Sequence, residues 1–368
     1  MADDIPAGVR RFPHAMVRTQ IEKVLLAWGM PAEAAAVTAD IMVDTDLRGI
    51  DTHGISTLPL YADWRREDRV SFGAGKVRVA KETPTALLID GGGTLGHFSA
   101  KTAMEGAMAK AREMGMGIEG VFNSCHFGPA GYYTRMASAA GLLGFAMTNT
   151  PGPQMAPTFG AQARLGTNPI AFAAPAKRNA DFSLDMATTT VARGKIRNAM
   201  VEGKPVPLGW VSDSSGKPTT DANVHDTGGM QTPLGGLPEL SSYKGYGLAM
   251  MVEMLCASLT GASLVTSEGH SRREPGNMNL GHFFLVIDPT KFREAGAFED
   301  TLDDLIEDLH ATKPIDPAQP VLVAGDPENR TAAERMNAGI PIPPGLCARV
   351  RETAEGAGVD YLLEGEAL

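Results

Sequence analysis

The sequence has few cysteines, and none of them stands in a pattern that binds a metal or forms a disulfide framework. The chain has 368 residues and three cysteines, Cys125, Cys256 and Cys347, which lie far apart. This usage fits a reducing compartment. The sequence also lacks an apolar stretch of membrane-spanning length and the apolar core of an N-terminal signal peptide. We therefore predict a cytoplasmic protein that does not bind a membrane.

Positive charge is also scarce. The 33 Lys and Arg residues against 43 Asp and Glu residues give a formal net charge of -10 at pH 7, which disfavours binding to nucleic acid. We predict a small-molecule substrate, and a nucleotide cofactor would need a local basic pocket. The chain contains neither the GxSxG motif of many hydrolases nor the HExxH spacing of a zinc site.

The pattern of elements indicates an α/β protein with helical ends and a middle that is rich in strands. Helical patterns cover 14–47, and the tail from Phe298 is helix-rich and more charged. The amino-acid composition changes slightly near Val70 and clearly near Pro289, and we take these two points as domain boundaries. We predict an N-terminal helical segment that packs with the C-terminal part, a cofactor-binding and catalytic domain, and a C-terminal helix-rich segment. Their ranges are 1–70, 71–289 and 290–368.

One stretch, DTDLRGIDTHGISTLPLY at 44–61, holds the best acid/base candidate. Its helical pattern stops at Gly49, and site residues often lie where a helix ends and the backbone turns. His53 follows this turn, and histidine titrates near neutral pH. Tyr61 can add a hydroxyl group to the same site. The alternative is a helix end with a surface histidine.

A glycine cluster, GGGTLG at 91–96, matches the GxGxxG pattern of dinucleotide-binding folds. A strand over 76–90 precedes it, and a helix that Ser99 caps and Gly115 ends follows it. The next strand lacks the acidic residue that would hold the ribose, and no further strand–helix units complete a half-sheet. We interpret the cluster as a turn that lines the site, with a Rossmann fingerprint as the alternative.

Polar residues at strand ends extend the candidate site. His126 lies in the loop NSCHFGPAG, where glycines let a ligand approach closely. Thr167 and Asn168 begin a strand, and Asp185 ends one, where a buried carboxylate needs a partner such as a histidine. Nearby cations include Lys195 and Lys244, and Lys244 opens a helix whose dipole would favour a pyrophosphate. Each of these features also has an ordinary structural explanation.

Taken together, the motifs resemble the malate/L-lactate/sulfolactate dehydrogenase family, which includes ureidoglycolate dehydrogenase, diketogulonate reductase and piperideine-carboxylate reductase. The resembling stretches occur in family order from about Ile41 to Pro289. They are DLRGIDTHG, IDGGGTLGH, NSCHFGPAGYY, GTNPIAFAAPA, LDMATTTVARGKI, GWVSDSSGKPTTD, KGYGLAMMVEMLCASLTGA and GHFFLVIDP.

The resemblance implies an enzyme that uses NADH or NADPH. Its reaction would transfer a hydride between the nicotinamide and a 2-oxo or 2-hydroxy acid, a related carbonyl compound or a cyclic imine. The implied fold is a sheet-rich cofactor domain that is not a Rossmann fold, flanked by helical segments from both chain ends. A homodimer with the active site near the interface is implied as well.

The family's acid/base role falls on His53 in some members and on His126 in others. We assign the acid to His53, with Asp185 orienting and charging it and His126 binding substrate or cofactor. The cofactor contacts that the resemblance implies are Thr148, Asn149, Thr150, Gly166, Thr167, Asn168, Pro169, Lys244 and Gly245. Lys195 joins them as a nearby cation.

The substrate side departs from the family pattern HGxxRLPxY, because this chain reads HGISTLPLY and Thr57 stands where the arginine is expected. A threonine cannot grip a carboxylate as a guanidinium does. We therefore expect a larger or less charged substrate, unless Arg48, Arg272 or Arg273 replaces the missing cation. The predicted substrate contacts are Arg48, Thr52, Thr57 and Tyr61.

Two other classes of function remain open from the residues alone. One is a metal-dependent lyase or hydrolase, although no ligand spacing supports it. Its ligands would be His53, His126, Asp185 and His282. The other is a nucleotide-sensing protein without turnover.

Overall fold

Helices occupy both ends of the chain, and strands dominate its middle. The computed structural model describes residues 8–73, 77–265 and 278–364. The strands are β1 (Arg10–Phe12), β2 (Arg78–Glu82), β3 (Ala86–Asp90), β4 (Met116–Ser124), β5 (Leu143–Thr148), β6 (Ile170–Ala174), β7 (Phe182–Met186), β8 (Val211–Ser212), β9 (Pro218–Thr219), β10 (Met230–Gln231), β11 (Leu280–Ile287) and β12 (Ile340–Ile342). The helices are α1 (His14–Ala27), α2 (Ala32–Leu47), α3 (Leu58–Arg66), α4 (Gly96–Met114), α5 (Ala130–Ser138), α6 (Arg193–Val201), α7 (Tyr243–Glu253), α8 (Ala297–His310), α9 (Asp326–Ala338) and α10 (Pro344–Ala357). A π-helix, Met254–Ser258, continues α7.

Seven strands form one mixed sheet in the order β2-β3-β4-β11-β5-β6-β7. β3 and β4 are parallel, and α4 connects them. The other neighbouring pairs in this sheet are antiparallel. A Rossmann domain needs a run of parallel strands, so this sheet is not a Rossmann sheet. The predicted α/β class is confirmed.

The glycine cluster is a turn between β3 and α4 whose amides bond within the protein. Four of its glycine N–H groups donate to protein oxygens at 2.7–2.9 Å. The pairs are Gly91 with Phe122 O, Gly92 with Asp90 Oδ1, Gly93 with Asn123 O, and Gly96 with His126 O. A dinucleotide fingerprint leaves such amides free for a pyrophosphate, so this turn serves the fold and supports the His126 loop.

The chain ends pack together in one apolar core. This core joins side chains of α1 and α2, such as Ile21 and Met42, to C-terminal side chains such as Val350 and Leu363. β1 pairs with β12 in a small antiparallel sheet. A second core lies between the large sheet and helices α4 and α5. In the described part of the chain, no helix has the length and apolar character needed to cross a membrane.

Two local predictions need correction. The predicted strand over 76–90 is two strands, because the chain turns after Glu82, where the Thr83 amide donates to Ala86 O at 2.8 Å. Pro84 at this turn cannot donate to a ladder. Ser99 does not cap α4: it lies inside the helix, where its hydroxyl donates to Gly96 O at 3.1 Å. The predicted end at Gly115 is confirmed.

Candidate active site

The turn that carries His53 follows α2 and is held by a buried carboxyl group. Asp46 Oδ2 accepts a hydrogen bond from the Ile55 amide at 2.8 Å. Gly54 lies so close to this group that a Cβ there would fall 1.8 Å from Asp46 Oδ1, so only glycine fits. Burial raises the pKa of Asp46 well above its ordinary value. Arg335 of α9 donates to the Asp46 carbonyl at 2.5 Å, which ties the turn to the C-terminal part.

His53 and His126 lie face to face. Their ring centroids are 5.4 Å apart, and the ring planes differ by 24°. Thr52 Oγ1 shares a hydrogen bond with His53 Nδ1 at 2.8 Å, and the Tyr61 hydroxyl shares one with His126 Nδ1 at 2.7 Å. Each ring therefore has one nitrogen held by a neutral hydroxyl group. This arrangement suits a group that moves a proton through its other nitrogen.

His97 of α4 adds a third imidazole, which the sequence analysis did not select. Its ring centroid lies 6.3 Å from that of His126 and 6.2 Å from that of Tyr61. The side chain is fully buried, and neither ring nitrogen has a hydrogen-bond partner among the described residues. His97 is the last residue of the motif IDGGGTLGH, and this motif could have indicated it from the sequence. We call His53, Tyr61, His97 and His126 the histidine cluster.

Burial favours the neutral form of the imidazoles in this cluster. It lowers the pKa of His97 to about 3 and that of His53 to about 4. Burial, together with the neighbouring histidines, lowers the pKa of His126 well below its ordinary value. His53 and His126 keep partial contact with solvent. Water therefore weakens the effect at these two rings, and we expect smaller shifts there than at His97.

Asp185 does not pair with His53, contrary to the prediction. Its carboxylate accepts a hydrogen bond from the Gly131 amide at 2.7 Å, at the N-terminal end of α5, and faces Arg135. The physical reason is the position of β7, an edge strand that packs against α5. Burial by neighbouring atoms raises the pKa of Asp185 to about 6. The residue is nevertheless exposed rather than buried, so water weakens this effect.

Arg48 lies in a set of ion pairs rather than in the histidine cluster. Its Nε pairs with Asp44 Oδ1 at 3.1 Å, and its Nη1 donates to Asn329 Oδ1 at 2.9 Å. Asp44 also pairs with Arg135. We call Asp44, Arg48, Arg135 and Asp185 the ion-pair network. Within the described ranges, the hydrogen bonds of Arg48 lead to this network and to α9, not to the imidazoles.

The other predicted substrate residues differ in burial and in whether their hydroxyl groups already bind another residue. Thr57 is buried, and its hydroxyl donates to Gly54 O at 2.8 Å. Thr52 is exposed, and α6 approaches it, since a Cβ on Gly194 would lie 3.0 Å from Thr52 Cγ2. Two further candidates lie outside the described residues: Arg272 and Arg273.

The segments predicted to bind the cofactor meet where β5 ends and β6 begins. A Cβ on Gly166 would lie 1.8 Å from Thr150 Oγ1, so glycine is required for this approach. Asn168 has a positive φ of 35°, and its buried Oδ1 has no hydrogen-bond partner among the described residues. Close backbone approach, hydroxyl groups and a free buried acceptor suit a nucleotide cofactor. The full segments are Thr148, Asn149 and Thr150, and Gly166, Thr167, Asn168 and Pro169.

Two predicted cations stand at helix starts. Lys195 lies in the first turn of α6 and Lys244 in the first turn of α7, and both are exposed. Gly245 is buried, and a Cβ there would lie 2.2 Å from Leu234 N. Positive charge at helix N-termini attracts phosphate groups, so these lysines suit the phosphates of a nucleotide.

His282 connects the cofactor segments to the histidine cluster. Its Nδ1 shares a hydrogen bond with Thr148 Oγ1 at 2.7 Å, and its Nε2 shares one with Ser124 Oγ at 2.8 Å. The ring stacks on Phe127, the neighbour of His126, with centroids 4.4 Å apart. Both nitrogens are occupied, which leaves neither for a metal. No three His, Cys, Asp or Glu side chains in the described ranges are arranged to hold a metal ion.

Histidines that suit proton transfer, near strand ends that suit a nucleotide, on an α/β fold that is not a Rossmann fold, are typical of a cofactor-dependent enzyme. The model of the malate/L-lactate dehydrogenase family matches residues 12–351. The chain belongs to this family and is an oxidoreductase of the nicotinamide-dependent class.

Known proteins agree with this membership over nearly the whole chain. A malate dehydrogenase of Pyrococcus horikoshii is 37% identical over 353 residues, which cover 96% of this chain and 97% of that protein. The solved structure of the malate dehydrogenase from the same organism has a TM-score of 0.87, with 34% identity, and covers 97% of this chain and 98% of its own. The structure of a Δ1-piperideine-2-carboxylate reductase from Pseudomonas syringae has a TM-score of 0.83 and 26% identity, and covers 94% of this chain and 100% of its own.

Proposed function

We propose that the protein transfers a hydride between NADH or NADPH and a 2-oxo or 2-hydroxy acid, a related carbonyl compound or a cyclic imine. The observation that carries this proposal is the face-to-face pair of His53 and His126 next to the Thr148 segment. Family membership supports it, since relatives are named as a malate dehydrogenase and as a piperideine-carboxylate reductase.

His53 is the proposed acid. The bound nicotinamide supplies the hydride, and the chain's own residues hold the substrate and move the proton. Burial lowers the pKa of His53, whereas three other histidines add to burial in lowering the pKa of His126. Thr52 holds His53 Nδ1 and leaves Nε2 to face the substrate. A positioned acid contributes about 10²–10⁴-fold to the rate.

His126 is the proposed substrate-binding partner of this acid. Tyr61 fixes its ring through Nδ1, so that Nε2 can bind the substrate carbonyl oxygen or imine nitrogen. Asp185 loses the orienting role because it binds Gly131 instead. It stays in the account as a support for α5.

The cofactor would bind where the ends of β5 and β6 meet the first turns of α6 and α7. Hydroxyl and amide groups at the strand ends suit the nucleoside parts, and the exposed lysines suit the phosphates. The proposed contacts are Thr148, Asn149, Thr150, Gly166, Thr167, Asn168, Pro169, Lys195, Lys244 and Gly245.

Substrate choice would depend on the position of Thr57. Its hydroxyl already binds Gly54 O, so Thr57 contributes neither a charge nor a free donor. Arg48 cannot replace the missing charge without leaving Asp44 and Asn329. We therefore propose a substrate that is larger than pyruvate or oxaloacetate, carries its carboxylate elsewhere, or is an imine or a less charged carbonyl compound.

A substrate panel with both coenzymes tests this function. We expect wild type to oxidise NADH or NADPH faster with bulkier oxo acids, uncharged analogues or a cyclic imine than with pyruvate or oxaloacetate. Thr57→Arg should raise kcat/KM for the small oxo acids by about tenfold or more, since a charged hydrogen bond is worth roughly 1.5–3 kcal/mol. Thr57→Met is the matched control, because it is long but uncharged and should give no gain.

Two outcomes would contradict these expectations separately. Efficient turnover of small oxo acids by wild type, without gain in Thr57→Arg, would remove Thr57 as the selecting position. Coenzyme binding without oxidation across the whole panel would contradict hydride transfer itself.

We also propose a cytoplasmic homodimer with the site near the interface. The exposure of Thr52, Lys195 and Lys244 in a single chain supports an additional cover for the site. The domain division at 1–70, 71–289 and 290–368 stays a proposal, supported by the apolar core that both chain ends share.

A further inference from the structure

Glu253, the last residue of α7, is a buried carboxylate whose partners in the described part of the chain are neutral N–H groups. Its Oε1 accepts hydrogen bonds from the Val265 amide at 2.7 Å and from Asn149 Nδ2 at 3.4 Å. Its Oε2 accepts one from Asn168 Nδ2 at 3.1 Å. A buried carboxylate without a cation is costly unless its hydrogen bonds are complete. This group therefore needs a role beyond packing.

The two asparagines belong to the two strand-end segments proposed to hold the cofactor. Asn149 follows β5, and its Oδ1 accepts from the Gly281 amide at 3.0 Å, at the start of β11. Asn168 precedes β6, and its Nδ2 also donates to Ala249 O at 2.9 Å. One carboxylate thus connects α7 with the ends of neighbouring strands.

The carboxylate acts together with a backbone carbonyl group to set how the amide of Asn168 is turned. Glu253 Oε2 and Ala249 O are both acceptors, so together they select the NH₂ group of Asn168 and leave Oδ1 on the other side of the amide. This oxygen has no partner among the described residues, and it lies 2.7 Å from the place of a Cβ on Gly166. A buried acceptor aimed at the glycine turn suits an N–H donor of a bound cofactor.

The backbone next to Glu253 is irregular in a way that fits a positioning role. The helix changes from α to π at Met254, and such π segments are frequent at functional sites. Gly281 lies against this segment so closely that a Cβ there would fall 1.6 Å from Cys256 O. The end of α7 is therefore fixed against β11.

We propose that Glu253 is a positioning residue for the cofactor: it orients the amides of Asn149 and Asn168 so that the two strand-end segments bind the nicotinamide nucleotide. This inference rests on the proposed placement of the cofactor. It predicts a specific effect of replacing the carboxylate by an amide, because Gln places an NH₂ group where one of the two accepting oxygens of Glu253 lies.

The test measures the dissociation constants of NADH and NADPH, by fluorescence titration, together with kcat and the thermal midpoint. Glu253→Gln should raise the dissociation constant of the preferred coenzyme about tenfold, the loss of one charged hydrogen bond. Its kcat at saturating coenzyme should stay within about threefold of wild type. Glu119→Gln is the control for the same substitution at another buried glutamate, because the oxygens of Glu119 have no hydrogen-bond partner among the described residues.

Unchanged coenzyme affinity in Glu253→Gln, or an equal loss in Glu119→Gln, would overturn the inference. If Glu253→Gln does not fold, Glu253→Asp keeps the charge but shortens its reach. It should still weaken coenzyme binding several-fold, and wild-type affinity would overturn the inference. Failure of wild type to bind either coenzyme would overturn the proposed function and this inference together. Wild-type binding combined with an unaffected Glu253→Gln overturns the inference alone.

Discussion

The histidine cluster and the ion-pair network show how two groups of ionisable side chains in one protein serve opposite purposes. In the cluster, the hydrogen bonds of the imidazoles and the phenol to other described residues join neutral groups, as between Tyr61 and His126. In the network, Asp44 pairs with both Arg48 and Arg135, and the charges satisfy one another. The network stabilises the contacts of α2 with α5 and α9. The cluster, in contrast, contains ring nitrogens, such as those of His97, that have no hydrogen-bond partner among the described residues.

This difference indicates that a side chain is available for chemistry when its hydrogen-bonding groups are not already bound to other residues of the protein. From the sequence, His53 is predicted as the acid and Asp185 as the carboxylate that orients it. The structure places Asp185 against the N-terminal end of α5, whereas His53 shares a hydrogen bond with Thr52 through Nδ1 only, as far as the described residues go. Residues of the cluster should therefore control turnover, and residues of the network should control stability.

The largest effect that we expect on stability is a decrease in the free energy of unfolding at acidic pH. Unfolded His97 has a pKa near 6.5, whereas burial holds its pKa at about 3 in the folded protein. Between these values only the unfolded state binds the proton, so His97 contributes its full stability above pH 6.5 and loses it as the pH falls toward 3. The slope is about 1.4 kcal/mol per pH unit for one proton.

His97→Leu separates this contribution from that of other groups. His97 has no hydrogen-bond partner among the described residues, so leucine leaves no group unpaired there. Urea denaturation between pH 7 and pH 4 should give a shallower pH slope in His97→Leu than in wild type. Equal slopes would mean that His97 is protonated in the fold and that the cluster is not neutral.

A smaller effect, on kcat/KM, is expected when His126 loses its hydrogen bond to Tyr61. Tyr61→Phe removes the hydroxyl group that shares a hydrogen bond with His126 Nδ1. A net hydrogen bond is worth about 0.5–1.5 kcal/mol, so kcat/KM should fall up to about tenfold while coenzyme affinity stays constant. Steady-state kinetics with coenzyme titration measures both values. Wild-type kcat/KM in this variant would show that the Tyr61 bond does not position the imidazole.

The smallest effect is expected in the ion-pair network. Asp185→Asn keeps the shape of the side chain but weakens its interaction with the positive end of α5, which is worth about 0.3–1 kcal/mol. Chemical denaturation should detect this loss, and kcat should stay within about twofold of wild type. A fall in kcat of a hundredfold or more would return Asp185 to the acid/base chemistry and abolish the distinction between the two regions.

Local patterns predicted much of the fold and part of the site. The break at Gly29–Pro31 separates α1 from α2 as the sequence indicates, because these residues interrupt a helix. The short motif around His53 and Tyr61 places these residues within two turns of one another. The pairing of Tyr61 with His126 needed the fold, since 65 positions separate them.

The errors and omissions have a common physical cause. Asp185 was expected to be buried near a histidine, but its neighbours depend on the order of strands in the sheet. His97 was missed as a polar residue in the first turn of α4, and Glu253 as a lone acidic residue at the end of the apolar helix α7. A lone polar residue in such a pattern is itself a signal, since a buried polar group needs a reason.

The most direct test of the account compares His53→Ala and His126→Ala by kcat at saturating substrate and by coenzyme affinity. We predict that His53→Ala loses about 10²–10⁴-fold in kcat with unchanged coenzyme binding, whereas His126→Ala mainly raises KM. Asp185→Asn, measured beside them, should keep wild-type turnover. Near wild-type kcat in His53→Ala, with a loss of two or more orders of magnitude in His126→Ala, would contradict the account and assign the proton to His126.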